Sequence, residues 1–432
     1  MNTFLKTRIG VMMFLQYIIW GAWYVTITTY LTSTLHFSAT AAGAVFGTTA
    51  VASLVSPFFV GLVADRFFAT ERVMAVLYIL GAILMYLLTQ VDSFGAVYTL
   101  VLAFCLCYFP TIALTNSITM QQVADPGRDF PPIRVMGTLG WIAINNVVGL
   151  MRIEAASTQF LLASAACVVM AVYSLVALPH TPPPARGKQV SARQLLGLDA
   201  LAMMKDRSYL VFVIASILAC IPLTFYYSFT NAFLNDVGVV NAAGKMTLGQ
   251  VSEVALMLLM PVIFRVSSVR GILLSGLFAW SLRYVLMAYG NAGSGMWMFY
   301  AAILLHGICY DFFFVTGQLY TDQEAPAHLR STAQGFITFV TYGVGMLIGS
   351  LLSGSALDYF TTTTGGNPVR NWTGFWLSSA LMSFAIMLLV LLFFRSSRRI
   401  QAASPAPAPS EVPACGSAAA SDHLRQCHVG RP

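Results

Sequence analysis

Long apolar runs follow one another from Ile9 almost to the end of the chain, each ended by a short polar stretch. A bilayer crossing by a helix needs about 20 apolar residues. Runs of that length fall at roughly 9–31, 41–64, 73–91, 95–119, 133–152, 157–178, 208–234, 246–265, 271–290, 295–320, 330–357 and 373–394. Helices satisfy their own backbone hydrogen bonds in lipid, so runs this long predict spanning helices. The expected fold is an all-α membrane protein with twelve transmembrane helices, and an even number returns both termini to one side. The first run follows Lys6 and Arg8, extends to about Leu31 and carries no small-residue cleavage site, so a retained helix is expected.

The polar stretches then orient the bundle. Odd-numbered ends and loops hold seventeen basic residues, among them Lys6, Arg8, Arg72, Arg128, Lys205, Arg265 and Arg330; the even loops hold three, Arg152, Lys245 and Arg370. Basic loops stay in the cytoplasm, which places both termini there and makes a multi-pass protein of the cell inner membrane the expectation. The longest internal loop, about 179–207, contains Pro182–Pro184 and then an Arg193–Lys205 stretch suited to a short amphipathic surface helix. It divides the chain into an expected six-helix bundle at 1–178, a cytoplasmic linker at 179–207 and a second bundle at 208–394. The Ala-, Pro- and Ser-rich remainder, 395–432, is expected to be a disordered cytoplasmic tail.

Composition adds one point. Charged residues are 9% and hydrophobic residues 58% of the 432 positions, against about 25% and 45–50% in soluble domains. The bilayer is therefore the main solvent, and the net charge of +7 comes from the loop asymmetry and does not point to nucleic acid. Seven cysteines are scattered: five in apolar segments read as small packing residues, and Cys415 and Cys427 fall in the tail, with a metal site there the less favoured alternative.

No nucleotide-binding loop, hydrolytic constellation or metal-ligand cluster appears, so no enzyme, no cofactor and no ATP are expected. Ion coupling or facilitation remains. Two acids fall well inside spans, Glu253 in span eight and Asp311 in span ten. A charge there costs on the order of 3 kcal/mol by insertion scales. Each therefore needs a cavity, a proton or a partner: a coupling role is one reading, and a structural ion pair with Arg283 of span nine is the other.

Helical spacing groups the remaining polar residues. Gln250, Glu253 and Met257 share a face of span eight, and Arg134, Thr138, Trp141 and Asn145 share one of span five. Thr224, Tyr227 and Asn231 do so on span seven, and His306 with Tyr310 on span ten; Asp311 is turned about 100° from Tyr310. Aromatic rings with amides and hydroxyls, and few fixed charges, suit a neutral, planar, polar solute. Packing is the alternative for any single ring, and His306 is open as a proton relay, a substrate donor or a packing residue.

At the end of span two, Gly61-Leu-Val-Ala-Asp65-Arg66 with Arg72 resembles the signature loop of the major facilitator superfamily, where an ordinary charged turn is the alternative. Asp129-Phe-Pro-Pro-Ile-Arg134-Val-Met-Gly-Thr138, Gln250-Val-Ser-Glu253 and Tyr310-Asp311-Phe-Phe resemble the nucleoside:proton symporter family of that superfamily, over about 1–396. The resemblance implies two six-helix halves, alternating access and proton-driven nucleoside import; a monomer is expected. Residue by residue it implies substrate contacts at Arg134, Thr138, Gln250 and Glu253, and a coupling role for Glu253 and Asp311. Three places depart from it: Thr224 and Tyr227 stand where characterised carriers have amides, Trp141 where they have phenylalanine, and His306 where they have tyrosine. The proton machinery thus carries over better than the base preference. A proton-coupled exporter of drugs or metabolites is the rival; Gly137–Gly149 lacks the proline of the antiporter motif, which weighs against it. A transporter-like sensor is the third reading, with no signalling module apparent.

Overall fold

The computed structural model describes residues 3–59, 69–123, 125–182, 197–365 and 367–395. These belong to one unit, Met1–Ile400; the tail Gln401–Pro432 lies outside the described residues, as do Gly61, Asp65 and Arg66 of the signature loop and the Arg193 part of the linker.

Eleven described helices are long and apolar enough to cross a membrane. They correspond to spans two to twelve. Span one differs from the continuous run expected: it is a helix Thr3–Gly21 and a shorter one, Ile27–Ser33. The break falls at residues 22–26, and the β-branched run Val25–Thr29 continues into the second helix. Lys6 and Arg8 also lower the apolarity of the first piece.

Four of the remaining spans, five, seven, nine and twelve, open on a side-chain cap. Asp206 opens span seven, Arg207–Asp236, by accepting from the Tyr209 amide at 2.8 Å. Asn371 opens span twelve, Trp372–Phe393, by accepting from Gly374 at 3.0 Å. Pro110, Pro222 and Pro261 lie inside helices. Spans ten and eleven each contain a turn of π-helix, at Asp311–Val315 and Phe339–Gly345, a wide turn that rotates the residues beyond it and recurs at functional sites. A two-stranded antiparallel hairpin, Thr361–Thr364 with Asn367–Arg370, joins spans eleven and twelve.

The packing repeats between halves. Span one (Thr3–Gly21) packs on five (Pro126–Leu150), two (Ala39–Phe59) on four (Phe94–Gln122) and three (Thr70–Leu88) on six (Thr158–Val176). In the second half seven packs on eleven, eight (Leu248–Val266) on ten and nine (Val269–Tyr289) on twelve. The same three pairings, six spans apart, are the two six-helix halves of the major facilitator fold. Outward-facing residues are large and apolar, such as Val176 at 79% and Leu258 at 77% exposure, which suits lipid. Inside, Gln16 ties three spans together: its Nε2 donates to Thr111 at 3.0 Å, and its side-chain and backbone oxygens accept from Tyr78 and Tyr108.

Of the linker, Leu198–Lys205 is a 3₁₀ segment, tighter than the amphipathic helix expected. Gly197 enters it at φ 67°, with the space for a Cβ filled by the Thr332 and Phe336 backbone, so the linker docks under span eleven.

The halves meet at the end that carries Arg152, Lys245 and Arg370. There Asp358 of span eleven caps span two, accepting from Ala39 and Thr40 amides at 2.8 Å each. Thr28 donates to the Ser228 carbonyl, Thr29 to Asn231 at 2.6 Å, and Asn146 to Thr247 at 3.4 Å. The buried Glu154 accepts from Asn231 at 3.1 Å, from Asn235, and from the Ala243 amide at 2.9 Å. Among the described residues at the basic end, the Lys6–Asp129, Glu71–His180 and Gln318–Gln334 bonds each join residues of one half.

Candidate functional site

A cavity of about 200 Å³ lies between the halves, on the basic side of those contacts. Span five contributes Arg134, Thr138 and Trp141, three residues of the stripe its sequence predicts. Asn145, a turn further, leaves the cavity and returns its Nδ2 to the Trp141 carbonyl at 3.0 Å. Span eight contributes Gln250 and Glu253; Met257, on the same predicted face, points outward at 46% exposure. Tyr227 and Tyr310 complete the predicted set on this wall.

Glu253 is placed by a close approach of two backbones. Gly307 of span ten sits where a Cβ would come within 2.7 Å of Ser252 and 2.8 Å of the Glu253 nitrogen. Only glycine permits this contact, and the Gly307 amide donates to Ser252 Oγ at 3.1 Å.

Three predicted residues stand apart from the cavity wall. Thr224 is buried behind Met346, donating to the Cys220 carbonyl at 2.7 Å and facing the Met346 sulfur at 3.6 Å. Asn231, two turns beyond it, belongs to the Glu154 cluster. His306 lies behind Tyr227, at 1% exposure, stacked between Tyr226 and Tyr310 with centroids 5.7 and 5.9 Å away. Its Nε2 is 3.8 Å from Glu253. Helical spacing grouped Arg134, Thr138 and Trp141, and Gln250 with Glu253, as the cavity wall does, but it could not say how deep the other residues would sit.

Asp311 is turned from the cavity, as its position beside Tyr310 predicts. It is fully buried, and neither carboxylate oxygen has a hydrogen-bond partner among the described residues. The ion pair with Arg283 that the sequence left open does not form for Asp311 or Glu253: Arg283 meets His306 and the Tyr226 ring instead. The membrane cysteines Cys105, Cys167, Cys220 and Cys309 are buried free thiols, in keeping with packing.

Span one supplies the wall the sequence reading missed. Tyr17, Trp20 and Tyr24, spaced i, i+3 and i+7, line the cavity. The Arg134 guanidinium lies 4.4 Å from the Tyr17 ring centroid, and Trp20 meets Trp141 edge to face at 5.6 Å. The Trp20 indole N–H is buried with no partner among the described residues. Thr49 and Ser53 of span two and Tyr342 of span eleven close the ring, Tyr342 bonded to Tyr310. The spacing of the span-one aromatics was a usable signal, but a stripe of rings in an apolar helix reads equally well as packing.

A cation, a carboxylate, an amide and several rings thus converge on one chamber between two pseudo-repeated halves. The family model for nucleoside H+ symporters matches residues 1–399. The chain belongs to that family. YegT of Escherichia coli (strain K12) is 40% identical over 403 residues, covering 90% of this chain and 94% of YegT. The xanthosine permease of the same organism is 31% identical over 90% of this chain and 94% of its own. The crystal structure of the nucleoside transporter NupG superposes with a TM-score of 0.84 at 29% identity, over 92% of this chain and all of that one. The family is one of membrane transporters, not enzymes, with nucleoside and proton as substrates.

Proposed function

We propose that this chain imports a nucleoside together with protons across the cell inner membrane, both termini cytoplasmic, working as a monomer. The presence of Glu253 on the wall of the central cavity, in the same chamber as Arg134, carries the reading. A carboxylate in the membrane interior is costly unless it is hydrated, paired or protonated. A chamber that exchanges solvent with either side in turn lets it take a proton on one side and lose it on the other. Trp141, Trp20 and Tyr24 offer ring faces and edges to the base, and Gln250, Thr138 and Tyr227 offer hydrogen bonds to its edge and to the ribose.

The loop charges put the basic end in the cytoplasm. The contacts between halves at the other end then close the periplasmic side, which makes this the cytoplasm-facing state of an alternating-access cycle. Asp311, buried beside the chamber with its oxygens unpartnered, is the second coupling carboxylate. Thr224 and His306 act on the substrate through Met346 and Tyr227, not by direct contact.

The test is uptake of labelled uridine, adenosine and xanthosine into proteoliposomes, with and without an inward proton gradient. Accumulation above the equilibrium level only with the gradient is expected. Equal uptake in both conditions would contradict proton coupling, and no uptake of any nucleoside would contradict the substrate class.

A further inference from the structure

Arg283 of span nine is fully buried and forms no ion pair among the described residues. Its guanidinium carbon stands 3.3 Å from the centroid of the Tyr226 ring, and its Nη1 is 3.1 Å from His306 Nδ1. A guanidinium only donates, so His306 Nδ1 is the acceptor of that bond. A neutral imidazole with an accepting Nδ1 carries its proton on Nε2. That nitrogen faces the cavity side, 3.4 Å from the Tyr227 hydroxyl and 3.8 Å from Glu253. Tyr226 and Tyr227 of span seven, Glu253 of span eight, Arg283 of span nine and Tyr310 of its own span surround the ring, and Cys309 lies beside Arg283.

The direction of one bond sets the next. With Nε2–H as donor, the Tyr227 oxygen accepts, and the Tyr227 proton is left for another partner. Tyr227 lines the cavity. We propose that Arg283 is a positioning residue that fixes the donor direction of the chain Arg283–His306–Tyr227, so that Tyr227 offers bound substrate a hydrogen-bond donor. The atom it reads is an acceptor, a base carbonyl oxygen or an unprotonated ring nitrogen. The same arrangement removes His306 from the proton path: a second proton would have to occupy Nδ1, where the guanidinium already donates. Of the three roles open to His306 on sequence grounds, the geometry points to an indirect substrate donor.

The choice of ligand rests on the nucleoside reading of the cavity; the tautomer of His306 does not. Nitrogen-15 NMR of the histidine-labelled full chain, with the His306 signal identified by its loss in His306→Gln, should show protonated Nε2 and bare Nδ1 at neutral pH. The opposite tautomer, or a doubly protonated ring, would overturn the proposal. Uridine binding to Arg283→Met should be roughly tenfold weaker than to the wild type, the size of one lost hydrogen bond. In a Tyr227→Phe background the same substitution should change nothing, and Arg283→Lys should retain most of the affinity. Equal losses in both backgrounds would make Arg283 merely structural and sink the idea. A wild-type chain that binds no nucleoside would overturn the functional reading, leaving the tautomer to decide this one.

Discussion

Glu154→Gln should release the periplasmic gate without touching the substrate cavity. The wild-type carboxylate accepts on both oxygens, from the Ala243 amide on one and from the Asn231 and Asn235 side chains on the other. Glutamine has a single acceptor oxygen. Its NH₂ must face either the Ala243 N–H or the two asparagine amides, donor against donor. Turning Asn231 over to accept would break its bond from Thr29. At least one hydrogen bond to a charged group is lost, about 1.5–3 kcal/mol. In the proposed alternating-access cycle these bonds part when the halves separate at this end, so the loss falls on the state that makes them. Its population relative to the periplasm-facing one should drop by about 10- to 150-fold. Spin labels at exposed positions on the two halves, Asp92→Cys and Ala292→Cys, would report it as a distance distribution in a background without reactive native cysteines. The wild type should show mainly the short distance and Glu154→Gln a substantial longer one. An unchanged distribution would refute the assignment of Glu154 as the latch between halves.

Arg134→Ala should abolish measurable nucleoside binding, since it removes the cavity cation and its contact with Tyr17; calorimetric binding at wild-type affinity would make the span-five stripe structural. Trp20→Phe cuts the indole back to a single ring and removes its unpartnered N–H from the cavity wall; binding about 5- to 10-fold weaker is expected, and an unchanged affinity would show that the indole contributes nothing to binding. Gly307→Ala should lower stability by about 1–3 kcal/mol through overpacking against Ser252, read as a lower melting temperature of the purified protein; an unaltered melting temperature would contradict the close approach of spans eight and ten.

How far the sequence carried the account depends on which interaction encodes each feature. Spans two to twelve were legible because a bilayer demands about 20 apolar residues per crossing, a constraint written locally. The break after Gly21 was not, since an apolar run looks the same straight or bent. Arg134 with Thr138, and Gln250 with Glu253, were legible because polar residues one turn apart in lipid must share a cavity or a partner. Asn231 and Thr224 share that spacing with Tyr227 but sit at other depths, where Glu154 and Met346 claim them. Depth comes from how helices from distant sequence cross, which spacing does not contain. Glu154 went unnoticed for the same reason: at the end of span five it looks like an ordinary loop acid until three donors from the other half surround it.

Proton coupling through Glu253 is tested by comparing Glu253→Gln with the wild type in two assays on the same proteoliposomes. Glutamine keeps the size and hydrogen-bonding reach of the side chain and removes the titratable group. The account predicts that the variant loses gradient-driven accumulation while still exchanging labelled for unlabelled nucleoside across the membrane. Accumulation by Glu253→Gln at the wild-type level would show that the proton travels by another route.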